Sequence, residues 1–235
     1  MPKRTPEGPR PIRTFGRVGG RPLSPRQQRL IDDRLPALAV PLDDGPLDPA
    51  TLFETPKEKI WLEIGFGGGE HITAQAKRHP EVGFIGCEPF IEGMAKAIGQ
   101  VDDQGLSNVR FRMDDARPLI ETLSPACLSR VFILFPDPWP KKRQQKRRLI
   151  QLDFLDRLAR VIAPGGEVRF ATDVASYANE ALAKFMRHPA FEWAATHPDD
   201  WRRPPADHVT TRYEEKRLGD CAPVWFKFDR THTSG

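Results

Sequence analysis

The chain has 235 residues, of which 39% are hydrophobic and 29% charged, with a formal net charge of +4. That is the composition of a globular domain with room for one α/β core and a tail. No run of about eighteen apolar residues occurs, which excludes a membrane-spanning helix. No apolar stretch follows the basic N-terminus as it would in a secretory leader. Cys87, Cys127 and Cys221 are scattered. They form neither a metal-ligand spacing nor a disulfide framework, so the expectation is a cytoplasmic protein without a metal site.

The first 26 residues carry Lys3, Arg4, Arg10, Arg13, Arg17, Arg21 and Arg26 against one acid, Glu7. Residues 1–23 are also rich in Pro and Gly without apolar periodicity, which predicts a disordered basic arm before a single domain over 24–235. A second basic block runs from Lys141 to Arg148. Two clusters of one sign point to an extended anionic partner, the alternative being merely solvated surface.

A helix is expected after Ser24, with Ser24 as cap, Pro25 in the first turn and Gln27 completing a capping box. From there apolar strand-like runs at 60–64, 82–87, 108–112, 130–135 and 166–171 alternate with helical spacing at 69–78, 90–103, 117–123, 147–160 and 175–187. Strand and helix in alternation predict a parallel sheet covered on both faces. Pro164-Gly165-Gly166 reads as a turn between the fourth of these helices and the next strand. Residues 190–196 and 223–229 read as a closing antiparallel pair around a long polar insertion, a length that suggests function.

The segment Trp61-Leu62-Glu63-Ile64-Gly65-Phe66-Gly67-Gly68-Gly69-Glu70 is a strand, a glycine-rich turn and a helix start. Such a turn lets a ligand approach the backbone. Glu63 closes the first strand, and Glu88 closes the second, where a carboxylate can accept both hydroxyls of a ribose. A dinucleotide fingerprint would want a third glycine where Glu70 stands, and an acid there would repel a pyrophosphate. S-adenosylmethionine, which carries a sulfonium and an ammonium, suits Glu63 better. Asp114-Asp115-Ala116 follows the third strand. Asp115 either contacts the adenine or caps the next helix, and the two roles are compatible.

The strand through Phe135 ends in Pro136-Asp137-Pro138-Trp139-Pro140 and then the basic block. Catalytic residues of open parallel sheets come from strand ends, and an acid framed by prolines is held rigidly, as methyl transfer requires. The plainer alternative is a stiff turn followed by a solvated helix start.

Phe135-Pro136-Asp137-Pro138-Trp139 with Lys141 and Lys146-Arg147-Arg148 resembles the bacterial tRNA (guanine-N7)-methyltransferases. So do Leu62-Glu63-Ile64-Gly65-Phe66-Gly67 with Gly69-Glu70, Gly86-Cys87-Glu88, Ala171-Thr172-Asp173, Thr211-Arg212-Tyr213-Glu214 and the stretch from Arg17 to Gln27. The resemblance implies a class I, Rossmann-like methyltransferase fold: a mostly parallel seven-stranded sheet, helices on both faces and an antiparallel last strand. It implies methylation of guanosine 46 in the tRNA variable loop. Carried over residue by residue, Glu63, Gly65, Gly67, Glu88, Asp115 and Asp137 would bind the cofactor, and Asp137 would also stand at the catalytic centre. Lys141, Asp173, Thr211, Arg212, Tyr213 and Glu214 would meet the substrate, and Arg143, Lys146, Arg147 and Arg148 the RNA backbone. Tyr213 and Pro140 depart from the Phe and His found in some relatives; either ring serves at the first, and the second makes an obligatory His doubtful.

Guanine N7 has an in-plane lone pair, so no strong general base is needed, and Asp137 or Asp173 could stabilise the charge that develops. Asp173 could instead cap the helix at 175–187. Two other functions compete: an adenine or cytosine amino-group methyltransferase, whose motif has two prolines between acid and aromatic, and a non-catalytic RNA-binding module. A monomer and a homodimer are equally compatible with the sequence.

Overall fold

The computed structural model describes residues 19–20, 22–42 and 45–232. The arm expected over 1–23 therefore lies outside the described residues except for positions 19, 20, 22 and 23.

The sheet is built from β1 (Lys59–Ile64), β2 (Val82–Cys87), β3 (Val109–Arg112), β4 (Leu128–Leu134), β5 (Ile162–Thr172), β6 (Phe191–Trp193) and β7 (Val224–Arg230). Their order across the sheet is β3-β2-β1-β4-β5-β7-β6. The first five are parallel, while β7 runs antiparallel to both neighbours. Every residue of β2, and all of β1 but Lys59, is buried, which is why both read as continuous apolar runs.

The helices α3 (Glu70–Arg78) and α4 (Ile91–Gln104) supply Ile72, Met94 and Ile98 to a core with Phe84 and Phe111. A larger core is formed by α5 (Ala116–Thr122), α6 (Leu152–Val161) and α7 (Ala175–Arg187), through Leu119, Leu155 and Phe185, against Val131, Val168 and Phe228. The N-terminal helix opens at α1 (Pro25–Arg29) with the Ser24–Gln27 capping box, passes through a π-helical turn at Leu30–Arg34 and ends as α2 (Leu35–Leu38). Arg26 and Arg34 pair with Asp103 and Asp102 and fasten it to α4.

Two elements differ from the sequence pattern. The helix expected from 147 starts only at Leu152; a 3₁₀ helix occupies Lys142–Arg147, and Arg148 takes an extended ψ of 138° that breaks the helix. Pro164-Gly165-Gly166 turns the chain within β5, not before it: Leu128 pairs with Ile162 and Arg130 with Glu167, so the turn is a bulge against Ser129.

Candidate active site

The turn after β1 places Gly65, Gly67 and Gly69 at φ of +75°, +58° and +87°. A Cβ on Gly65 or Gly67 would meet nothing within 4 Å, so the loop borders open space that a ligand would fill. At Gly69 the reason is packing: a Cβ would stand 2.5 Å from that of Ala97.

Three carboxylates stand at successive strand ends beside this loop. Glu63 is 4% exposed, and its Oε2 lies 2.8 Å from His71 Nδ1. Glu88 accepts the Gly67 and Phe90 N–H groups at 2.8 and 2.9 Å, one on each oxygen. Burial pushes the Glu88 pKa up, the two N–H bonds oppose this, and the charges of Asp137 and Glu63 add to the rise. Asp115 caps α5, accepting the Arg117 N–H at 2.9 Å and its guanidinium at 2.9 and 2.7 Å. The capping alternative is therefore realised, on a residue that also lines the cleft.

Beyond β4 the chain bends sharply. Phe135 and Trp139, on either side of Pro136-Asp137-Pro138, have left-handed φ of 52° and 42°. Side chains with a Cβ adopt this conformation only when their surroundings enforce it. The Phe135 N–H donates to the Ala171 carbonyl at 2.8 Å, and its ring packs 5.5 Å from both Tyr213 and Trp225. Asp137 stands at the bend, where surrounding protein pushes its carboxyl pKa up. Arg147 lies over the Trp139 ring at 5.1 Å. Lys141, Lys142, Arg143 and Lys146 are exposed.

Arg148 is not part of that surface, which corrects its assignment to the RNA backbone. Its side chain is 1% exposed. Nε donates to the Pro138 carbonyl at 2.8 Å, Nη2 to Ser176 Oγ at 2.8 Å, and Nη1 to the Ser176 carbonyl at 3.2 Å and to Glu180. The guanidinium bolts the proline segment to α7.

Asp173 is 5% exposed at the end of β5. It does not cap α7: the Ala175 N–H donates to Asp220 Oδ1 at 2.8 Å. The Asp173 carboxylate instead accepts the Tyr213 hydroxyl at 3.3 Å. Burial foremost, then the Asp173 charge, raises the Tyr213 pKa to about 12. Tyr213 is presented by α8 (Arg212–Glu215), closed by a Thr211–Glu214 capping box, and Glu214 also binds His208 at 2.9 Å. Glu214 thus works within the turn, while Arg212 is exposed.

Two clefts of about 480 and 320 Å³ meet at Gly65, Phe90 and Phe135. The first holds Glu88, Asp115, Asp137, Lys146 and Arg147; the second holds Glu63, Gly67, Thr211, Arg212 and Tyr213. Lys141, Arg143, Asp173 and Glu214 line neither. Sequence reasoning named Phe135 only as part of the proline motif and gave no role to Trp225, Asp220 or His71. Trp225 is an apolar strand residue like many others, and Asp220 and His71 carry no local signal beyond the position of His71 in the first turn of α3.

The open cradle at Gly65 and Gly67 with buried acceptors at Glu63 and Glu88 fits a nucleoside that carries a cation. With the strand order, this defines a class I S-adenosylmethionine-dependent methyltransferase. The model of a methyltransferase family matches residues 57–226. The chain is 60% identical to the tRNA (guanine-N(7)-)-methyltransferase of Hyphomonas neptunium over 92% of this chain and 99% of that one. It is 53% identical to that of Caulobacter vibrioides strain NA1000 / CB15N over 96% and 99%. Among solved structures, an rRNA methylase from Streptococcus thermophilus shares the fold at a TM-score of 0.51 with 12% identity, over 75% of this chain and 89% of the other. The chain belongs to the tRNA (guanine-N(7)-)-methyltransferase family.

Proposed function

We propose that the protein transfers a methyl group from S-adenosylmethionine to N7 of guanosine 46 in the variable loop of tRNA. On this reading residues 24–235 form one catalytic domain, preceded by a basic arm, and act in the cytoplasm. No helix among the described residues is long and apolar enough to cross a membrane. The observation that carries the reading is the meeting of the glycine-loop cleft with a rigid Asp137 bend and an exposed cationic turn, in a chain so similar to a relative of that name.

Bound S-adenosylmethionine supplies the electrophilic methyl group. Glu88 accepts the ribose hydroxyls with lone pairs left by its two backbone donors. Glu63 offers negative charge to the amino-acid end. Lys141, Arg143, Lys146 and Arg147 hold RNA phosphates, and their contribution weakens with salt. The bend fixes Asp137 where the guanine arrives. Tyr213, set against Asp173 and Phe135, lines the cleft where the base would pack. N7 would attack the methyl carbon with its own lone pair as the carbon–sulfur bond breaks and S-adenosylhomocysteine leaves, and Asp137, with Asp173 behind Tyr213, would stabilise the positive charge left on guanine. The test is incubation with labelled S-adenosylmethionine and unmodified tRNA, followed by nucleoside analysis. Label in 7-methylguanosine is expected; label in a methylated adenosine or cytidine amino group would overturn the reading.

A further inference from the structure

His71 is 2% exposed and sits in the first turn of α3, where it lines a separate pocket with Phe132, Asp207 and His208 and touches the cofactor cleft only through Glu63. Its ring is fixed on two sides, edge-on to Phe132 at 4.8 Å and stacked on His208 at 5.9 Å. Its nitrogens are fixed as well. Nδ1 lies 2.8 Å from Glu63 Oε2, and Nε2 lies 3.2 Å from Gln75 Nε2, one helical turn on.

The proton positions follow from one outside atom. Gln75 Nε2 also lies 2.7 Å from the main-chain carbonyl of Asp207, which can only accept. The Gln75 amide therefore turns its nitrogen toward both neighbours and donates to each. An imidazole nitrogen that accepts carries no hydrogen, so His71 Nε2 is bare and the ring proton is on Nδ1, directed at Glu63. The imidazole thus presents its Nδ1–H donor to Glu63. Asp207 itself is anchored: its carbonyl accepts from Arg78 at 2.6 Å, and its carboxylate binds Arg169 at 2.8 and 2.7 Å. The long polar insertion between β6 and β7 thereby has a task, since its Asp207 carbonyl sets the tautomer of a ring that orients a cleft carboxylate.

We infer that His71 is a positioning residue for the cofactor, held by Gln75 and Asp207 as the Nδ1–H tautomer so that Glu63 stands oriented in the cleft. The inference rests on Glu63 meeting the cationic end of S-adenosylmethionine. The test is the affinity of His71→Asn and His71→Phe for S-adenosylmethionine by titration calorimetry, with thermal melting to monitor folding. Asparagine places an amide N–H at the Nδ1 position, whereas phenylalanine keeps the ring volume and loses the donor. Loss of a hydrogen bond to a charged group predicts a drop of about tenfold or more for the Phe variant. The Asn variant should stay within about threefold of wild type. The reverse order, with Phe tolerated and Asn not, means that His71 merely fills space and overturns the inference. Should the Phe variant fail to fold, the Asn variant decides alone: affinity kept supports the inference, affinity lost overturns it. Glu63→Gln in the same titration separates the two layers. An unchanged Glu63→Gln removes the role of Glu63 itself, while a weakened Glu63→Gln beside an unaffected His71→Phe refutes only that of His71.

Discussion

Arg148→Lys separates two roles that a basic run makes look alike. In the structure Nε of Arg148 holds the Pro138 carbonyl, while its two terminal nitrogens hold Ser176 and Glu180 on α7. Lysine keeps the charge but has one nitrogen, so it cannot span both sides. Releasing the Pro138 carbonyl removes a hydrogen bond from a charged donor, worth about 1.5–3 kcal/mol, and for a domain of this size lowers Tm by about 2–4 °C per kcal/mol. Pro138 follows Asp137 directly, and a displacement near 1 Å at a reacting centre costs about a hundredfold in rate. A guanidinium 1% exposed reaches no phosphate, so the salt dependence of tRNA binding should not change. Arg143→Gln, at an exposed position, should instead lower the slope of log affinity against log salt by about 0.7–0.9. Methylation rate against tRNA concentration and binding at several salt levels supply both quantities. If Arg148→Lys leaves Tm and kcat intact, the bolt is not needed, and if Arg148→Gln lowers the salt slope as Arg143→Gln does, Arg148 is an RNA contact.

Three further outcomes follow from the site. Glu88→Ala should weaken S-adenosylmethionine binding by about 1.5–3 kcal/mol in calorimetry. Because the Glu88 pKa is raised and the carboxylate is the accepting form, wild-type affinity should fall as pH drops through a value above the ordinary carboxylate range, and Glu88→Ala should lose that dependence. The same upward shift means that the buried carboxyl opposes folding when charged: its stabilising protonated form is complete below the unfolded pKa and lost as pH rises through the folded one. Asp137→Ala should melt near wild type yet turn over far more slowly at saturating tRNA; a normal rate would make Asp137 structural. Gly69→Ala, with φ of +87° and a Cβ 2.5 Å from that of Ala97, should cost about 1–3 kcal/mol in chemical denaturation.

The strands were legible because each is a short apolar run bounded by turn residues, so β1, β2 and β3 begin within one residue of expectation. The glycine turn, Glu63 and Glu88 were legible for a local reason too, as acids at the ends of buried strands. What failed to show was decided at a distance. The start of α6 depends on Arg148 turning toward a carbonyl ten residues earlier, and in the sequence Arg148 is one more cation in a row. Asp173 looks like a helix cap until Asp220, from a loop far along the chain, takes that place. His71 looks like an ordinary polar helix residue until Asp207 arrives from the insertion. A periodicity argument weighs near neighbours and cannot supply such partners.

The left-handed pair at Phe135 and Trp139 bears on how such an enzyme could be made to tolerate heat. Each holds a conformation that costs a non-glycine residue roughly 1–2 kcal/mol. A directed-evolution screen scored on survival at high temperature would therefore favour Asn or Gly at Trp139, which relieves the backbone and raises the melting point. The same replacement removes the ring beneath Arg147 and lets the corner that carries Asp137 relax. Screening for survival and screening for turnover would thus drive one short corner in opposite directions, and a heat-resistant descendant that stayed active would have to find its stability elsewhere in the fold.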